Sequence, residues 1–129
     1  MPTWKIAAVQ MDCRLANKRF NLEAMRAKLG EAAGRGARLI VCPECALTGY
    51  GFESKEEAWP HAEAIPGPST EALAADCRRL DAWIVYGLLE RDGDQLFNAC
   101  AVVGPRGLLG RADDLRVRDL AEDPSPRVG

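Results

Sequence analysis

The residues with the most evident chemical potential lie together in the segment LIVCPECALTGY, residues 39–50. An apolar run ends there at Glu44, and Cys42 and Cys45 lie on either side of that acid. A glutamate can act as a general base, whereas two thiols at C-x-x-C spacing can form a redox pair or bind a metal. The first question is whether the acid or the thiols are the working groups.

The two thiols are better explained as small buried side chains than as a reactive pair. A redox C-x-x-C pair lies at a helix N-terminus, where the first thiol is acidic, but Cys42 completes a predicted strand. A zinc site needs a second pair of ligands, and the one histidine, His61, lies in a different context. A thiol switch formed by Cys42 and Cys45 stays as an alternative. The packing interpretation also applies to the other cysteines, which are Cys13, Cys77 and Cys100.

Glu44 gains weight from its position in the predicted fold. The carboxyl ends of parallel strands are where α/β proteins place their chemistry, and Pro43 fixes the backbone immediately before the acid. At the rim of an apolar sheet we expect this carboxylate to be partly desolvated, which suits a general base. The sequence therefore favours Glu44 over the thiols as the working group.

The order of the predicted elements is that of an α/β domain with a mixed sheet. Residues 4–11 predict a buried strand with Ile6 and Val9 near its centre, and residues 17–34 predict an amphipathic helix. Residues 39–42 predict a short central strand, which implies a parallel pair. A short helical piece and a second helix with Ser69 as its N-cap come next. The last elements predicted are an antiparallel meander over residues 82–91, 95–103 and 108–111.

Composition indicates one ordinary globular domain and excludes several partners. The 129 residues are 47% hydrophobic with a net charge of -2, whereas nucleic-acid and anionic membrane surfaces require a concentrated basic face. No apolar run approaches the roughly 20 residues that span a bilayer, and no secretory signal is recognised, so we expect a cytoplasmic protein with reduced cysteines. We expect a domain over residues 1–111 and a divergent or disordered tail over residues 112–129.

Several blocks of the sequence, in the right order, resemble the nitrilase, or carbon–nitrogen hydrolase, superfamily. LIVCPECALTGYGFESKEE resembles the family's first catalytic block, in which a Pro-Glu pair follows an aliphatic strand and a Leu-Thr-Gly-Tyr turn comes next. WKIAAVQMDC is similar to the family's opening strand. IVYGLLERDGDQLFNACAVVGPRGLLGR is similar to its Gly-containing strand, its Tyr/Phe-Asn hairpin and its Gly-Pro-x-Gly turn. Together these blocks cover about residues 4–111.

The resemblance implies a fold, a reaction and roles for individual residues. The fold would be α/β, the N-terminal half of a nitrilase-like α-β-β-α sandwich, with a mixed sheet and two main helices on one face. Members hydrolyse amides and nitriles through a cysteine thioester, with a glutamate as general base, a lysine at the oxyanion, and neither a metal nor an organic cofactor. Glu44 takes the base role by motif match, and Tyr50 is a candidate for contact with the substrate.

The family's lysine and nucleophile have no counterpart by motif match. Laying Gly110 and Arg111 on the family's pattern puts Asp114 at the lysine position, and Arg116 or Arg118 would reach it only by a register shift. None of the five cysteines lies in the context of the nucleophile. We therefore expect a truncated or divergent hydrolase that retains the general base and is inactive alone.

A half-sandwich also has consequences for partners. A sheet with one uncovered face exposes apolar surface, which predicts a homo-oligomer or a complementing subunit, with a small amide or nitrile as substrate. The alternative function is a non-catalytic nitrilase-like subunit, an interaction module that binds a paralogue through that sheet.

Overall fold

Five strands form one mixed sheet in the computed structural model, which describes the backbone of residues 3–116 and the side chains of residues 3–112. The strands are β1 (Ile6–Ala8), β2 (Leu39–Val41), β3 (Trp83–Asp92), β4 (Gln95–Gly104) and β5 (Gly107–Arg116). They are adjacent in chain order, with β1, β2 and β3 parallel and β3, β4 and β5 antiparallel. The predicted parallel pair and the predicted meander are therefore confirmed.

Two main helices pack together on one face of the sheet. The helices are α1 (Lys18–Gly34), α2 (Lys55–Ala58) and α3 (Pro68–Leu80), with a 3₁₀ turn at Trp59–His61. The side chain of Asn17 caps α1 by accepting a hydrogen bond from the next turn. α1 is tied to α3 by a two-bond ion pair between Arg26 and Asp76, at 2.7 and 3.1 Å. No helix within residues 3–116 is both long and apolar enough to cross a bilayer.

The core lies between this helical layer and one face of the sheet. α1 contributes Met25 and Leu29 to it, and α3 contributes Leu73 and Cys77, all of them completely buried. Each large apolar side chain buried in this way stabilises the fold by about 1.5–3 kcal/mol. Their partners on the strands are Ile40, Ile84, Tyr86, Leu88, Ala101 and Val103.

The opposite face of the sheet leaves apolar side chains exposed. Ile6 is 61% exposed and Leu109 is 62% exposed, and Val41 is exposed as well. The sequence predicts a buried strand over residues 4–11, which is wrong in both length and burial: β1 has three residues, and Ala7 alone of them packs into the core. Successive strand residues point to opposite faces, so Ile6 lies on the face that α1 and α3 do not cover.

The N-terminus of α3 also differs from the prediction. The sequence predicts Ser69 as the N-cap, but the helix begins at Pro68 and Gly67 is the cap. The hydroxyl of Ser69 is buried and hydrogen bonds to the hydroxyl of Tyr86 at 2.7 Å. The backbone N–H of Ser69 donates to the carboxylate of Glu63 at 2.9 Å, so a glutamate from the segment before the helix satisfies one N–H of its first turn.

β5 continues to Arg116, beyond residue 111, where the sequence predicts that the domain ends. Position 114, the predicted lysine position, therefore lies within the sheet. Residues 117–129, where the rest of the predicted tail falls, lie outside the described residues.

Candidate active site

Glu44 lies in the turn that follows β2, at the carboxyl end of this parallel strand. The backbone N–H of Cys42 donates to the carbonyl of Val85 at 2.8 Å, which extends the pairing with β3 up to the residue before Pro43. Glu44 lines an open cavity of about 420 Å³. The residue is exposed, so the partial burial expected from the sequence is wrong for this chain.

Asn98, on β4, holds the carboxylate of Glu44. Its Nδ2 donates to Glu44 Oε1 at 2.5 Å, so the amide is in direct contact with the carboxylate. The other end of the same amide accepts a weaker hydrogen bond from the thiol of Cys45, with 3.7 Å between Sγ and Oδ1. The sequence marks Asn98 only as part of a hairpin and gives no indication that it contacts Glu44, which is 54 residues away along the chain.

The turn that carries Glu44 packs directly on the backbone of β3 at Gly87. A Cβ atom at this position would lie 2.8 Å from the Cα of Glu44 and 2.9 Å from its carbonyl carbon, which is closer than real Cβ atoms approach. The N–H of Gly87 donates to the carbonyl of Pro43 at 3.3 Å, and its carbonyl accepts from the N–H of Leu47 at 3.2 Å. Glycine at position 87 therefore sets the distance between the turn and the sheet.

A buried asparagine on α1 fixes the other side of the same turn. Asn21 is fully buried, and its amide makes two hydrogen bonds to the backbone of Arg14, both at 2.8 Å, and one to the carbonyl of Leu47 at 2.9 Å. The backbone N–H of Ala16 also donates to the carbonyl of Thr48 at 2.9 Å. The loop after β1, the start of α1 and the turn after β2 are therefore one hydrogen-bonded unit.

Burial suppresses ionisation of the two thiols that flank Glu44. It raises the pKa of Cys42 to about 12, and burial together with the nearby charge of Glu44 raises the pKa of Cys45 to about 11. A redox or metal-binding thiol needs the opposite shift. Among the described residues, no group of three or more His, Cys, Asp or Glu side chains is arranged to hold a metal ion. These observations favour the packing interpretation of this thiol pair.

Of the remaining candidate residues, Cys100 lines the cavity and Tyr50 does not. Cys100 is half-buried on the cavity wall with Glu44 and Asn98, and it lies opposite Gly87 in the strand register. The sequence predicts only that Cys100 packs in the fold, and not that it lines the same cavity as Glu44. Tyr50 is 76% exposed and does not line the cavity. The structure therefore does not bring Tyr50 together with Glu44.

The backbone register places position 114 beside the strand segment that carries Asn98. Asn98 pairs with Leu115 and Ala99 pairs with Asp113, so Asp114 is the extra residue of a β-bulge between them. This is the position that the resemblance assigns to the family's lysine. An aspartate therefore occupies the expected lysine position, on the strand next to the partner of the candidate base.

A mixed sheet with two helices on one face, and an acid at the carboxyl end of its second strand, define an α/β protein with its candidate site at the edge of the sheet. A family model described as carbon-nitrogen hydrolase matches residues 5–127. The solved structure of XC1258 from Xanthomonas campestris, a superfamily protein with an arsenic adduct in its active site, superposes with a TM-score of 0.75 at 26% identity. That match covers 88% of this chain and 41% of XC1258.

The chain belongs to the carbon–nitrogen hydrolase family. It is 41% identical over 108 residues to a nitrilase from Pyrococcus abyssi, a match that covers 83% of this chain and 41% of the relative. It is 37% identical over 110 residues to the omega-amidase NIT2 of Danio rerio, covering 84% of this chain and 38% of the relative. The chain therefore spans about two-fifths of the length of these curated relatives, and the predicted partial nitrilase-like fold is confirmed.

Proposed function

We propose that this chain supplies the general base, Glu44, of a carbon–nitrogen hydrolase that acts on a small amide or nitrile. The observation that carries the proposal is the carboxylate of Glu44 at the carboxyl end of β2, held by Asn98 on the wall of an open cavity. Membership of the family supports the reaction class. The nitrilase and omega-amidase relatives support the class of substrate.

In the proposed reaction, Glu44 accepts the proton of a cysteine thiol while the sulfur attacks the carbonyl or nitrile carbon of the substrate. An ordinary cysteine thiol is mostly protonated at neutral pH, so a base within hydrogen-bond reach is needed to generate thiolate. The carboxylate of Glu44 is exposed on the cavity and is therefore accessible to such a thiol. With an amide, a fixed positive charge would stabilise the oxyanion that forms, and Glu44 would return the proton to the departing ammonia as the C–N bond breaks. With a nitrile, the nitrogen takes this proton instead, and water then hydrolyses the bound intermediate.

We propose further that the chain does not perform this reaction alone. Asp114 stands at the expected lysine position, and its negative charge would oppose an oxyanion. Cys42 and Cys45 are buried with raised pKa values, which makes them poor nucleophiles. Cys100 shares the cavity with Glu44, but the described lining contains no lysine or arginine that would stabilise the oxyanion.

A complementing polypeptide would complete the site. The chain spans about two-fifths of its relatives, and Ile6, Val41 and Leu109 leave apolar surface open on the sheet. We place on this face a polypeptide equivalent to the unmatched part of the relatives, which would bring the nucleophile and the lysine to Glu44. Tyr50, on the exposed turn, would then contact the substrate. The five free thiols fit a reducing compartment, and the proposed location is the cytoplasm.

Split complementation tests this proposal. The chain is mixed with the unmatched remainder of the Pyrococcus abyssi nitrilase, and hydrolysis of simple amides and nitriles is followed by the release of ammonia. We expect turnover only when both polypeptides are present, and a decrease of about 100-fold or more with Glu44→Gln, because the thiol then lacks a base. Glu53→Gln, on the exposed loop beyond the same turn, is the matched control and should leave the rate unchanged.

Two results would contradict the proposal, each in a different part. Turnover by the chain alone that Glu44→Gln abolishes would show that no partner is needed. Turnover by the pair that survives Glu44→Gln would show that Glu44 is not the base.

The second candidate function is a non-catalytic subunit that binds a nitrilase-type paralogue. The exposed apolar side chains of Ile6, Val41 and Leu109 on one face of the sheet favour it, because continuous apolar patches mark protein–protein interfaces. Under this hypothesis Ile6→Lys weakens binding of the paralogue, measured by calorimetry, while Glu44→Ala has no effect on binding or on the paralogue's hydrolysis rate. A fall in that rate with Glu44→Ala would instead assign the chain to the catalytic site.

A further inference from the structure

We infer that Asn98 is the positioning residue of the site: its amide holds Oε1 of Glu44 and reserves Oε2 as the oxygen that takes the proton. The inference rests on the proposed function for its chemical meaning. The contact itself, in which the amide of Asn98 on β4 binds Glu44 in the turn after β2, follows from the geometry alone.

The orientation of the Asn98 amide is set from both ends. Nδ2 donates to Oε1 of Glu44 at 2.5 Å, and Oδ1 accepts from the thiol of Cys45 at 3.7 Å. Because burial raises the pKa of Cys45 to about 11, this thiol stays protonated at neutral pH and remains a donor. A flipped amide would point its oxygen at the carboxylate, losing the bond to Glu44, and would turn its N–H₂ group toward Sγ, which is only a weak acceptor. Two consecutive residues of one turn therefore select a single amide orientation.

The two oxygens of Glu44 are not equivalent in this arrangement. Oε1 receives the Asn98 bond, whereas Oε2 accepts no hydrogen bond from any group in the described residues. A carboxylate held at one oxygen retains lone pairs at the other, in a fixed direction. Oε2 is thus the available proton acceptor on this side chain.

Folding stability does not require this hydrogen bond. Glu44 is exposed, so water could solvate its carboxylate at no cost if Asn98 were absent, and exposed polar contacts add little to stability. What the bond does is restrict the rotation of a long side chain. Restriction of an exposed carboxylate beside a cavity is a property useful for catalysis, where a misplacement of about 1 Å costs about 100-fold in rate.

Local strand geometry also singles out Asn98. The pairing of β4 with β5 shifts register between Asn98 and Ala99, while the pairing of β3 with β4 is regular across Leu89 and Asn98. Bulges bend a strand and re-aim its side chains, and they occur often beside active sites. The bulge therefore lies at the residue whose side chain reaches across β3 to the turn after β2.

Side-chain amide NMR of the whole chain tests the inference without any need for activity. In ¹⁵N-labelled protein, the Asn98 Nδ2 signals are assigned by their loss in Asn98→Ala. We expect one Nδ2 proton far downfield of ordinary asparagine side chains, because it donates to a charged carboxylate. Glu44→Gln removes that charge and should shift this proton upfield. Glu71→Gln, an exposed glutamate on α3, is the matched control and should leave it in place.

The backbone amide spectrum of each variant reports whether the fold is retained, so that unfolding cannot imitate the expected change. An Asn98 side-chain pair at ordinary positions that does not move with Glu44→Gln overturns the inference. Complementation with the Pyrococcus remainder then tests the role of Asn98 separately from the proposed function. Asn98→Ala should lower kcat about 100-fold at an unchanged KM. If the unmodified chain and the Pyrococcus remainder show no turnover together, the proposed function is contradicted. The NMR result would still decide whether Asn98 binds Glu44.

Discussion

At the scale of single residues, the position of Glu44 depends on the missing side chain at Gly87. Gly87→Ala would push a methyl group into the backbone of the turn, which can yield only by moving Glu44. We expect a loss of about 1–3 kcal/mol in the free energy of unfolding, measured by urea denaturation. Gly110→Ala, in β5, meets nothing within 4 Å and should change stability far less. Equal losses for the two variants would contradict the close approach of the turn to β3.

The buried thiols predict that stability falls at alkaline pH. The folded pKa values are about 12 for Cys42 and about 11 for Cys45 and Cys77, all above the ordinary value of 9.0 because of burial. The folded state therefore holds these protons more tightly. The stability they provide is complete below pH 9 and is lost as the pH rises from 9 toward 11 and 12.

The expected slope is up to about 1.4 kcal/mol per pH unit for each thiol. Urea denaturation at about pH 8 and about pH 10.5 measures it, and Cys42→Ala should make the dependence less steep. A free energy of unfolding that is constant over this range would show that the thiols are not buried as described.

The sequence predicts Glu44 but neither of the residues that position it. A Pro-Glu pair after an aliphatic strand is a local pattern, and it can be recognised without any knowledge of the fold. The contacts made by Gly87 and Asn98 depend instead on the alignment of β2, β3 and β4, which packing sets over long sequence separations. The Phe-Asn pair in the hairpin marks Asn98 within the resemblance, but it does not indicate the partner.

At the scale of elements, Asn21 joins α1 to the loop after β1 and to the turn that carries Glu44. Asn21→Ala would leave the part-buried backbone groups of Arg14 and the buried carbonyl of Leu47 without this partner, and we expect a loss of about 2–4 kcal/mol. Asn17→Ala removes only the cap of the same helix and should cost about 1 kcal/mol. Denaturation curves compare the two variants. Similar losses would mean that the Asn21 network contributes no more than an exposed cap.

The elements themselves follow closely from local pattern, except where tertiary contacts intervene. The predicted helix over residues 17–34 corresponds to α1, since apolar spacing, the Asn17 cap and the Gly-Arg-Gly stop all agree. Ser69 does not cap α3, because the buried hydroxyl of Tyr86 and the carboxylate of Glu63 engage it instead. Glu63 and Tyr86 both lie outside the positions that a local capping motif uses, so the sequence around Ser69 does not indicate these contacts.

At the scale of the whole molecule, the uncovered sheet face predicts self-association in the absence of a complement. Ile6 and Leu109 are the most exposed aliphatic side chains on the described sheet. We expect the isolated chain to sediment as species larger than a monomer, and the double variant Ile6→Lys, Leu109→Lys to shift it toward monomer. Glu71→Lys, on the exposed side of α3, is the control. A chain that remains monomeric at every concentration would contradict this account of the face.

The sequence indicates the half-sandwich as a whole because the blocks that resemble the family extend over most of the chain. It does not indicate how the exposed face is distributed, since strands such as β1 look uniformly apolar in sequence although one side of each remains open. The side of a strand that is covered depends on the helices that pack there, which is a property of the assembled sheet.

The central claim is that Glu44 is the proton acceptor for a cysteine supplied by another segment, and thioester formation measures this most directly. In a chimera, residues 5–111 of this chain replace the matched segment of the Pyrococcus abyssi nitrilase, and single-turnover acylation is followed with an amide substrate. We expect Glu44→Gln to slow acylation by about 10²–10⁴-fold and Glu53→Gln to leave it unchanged. A Glu44→Gln chimera that acylates as fast as its parent would contradict the central claim.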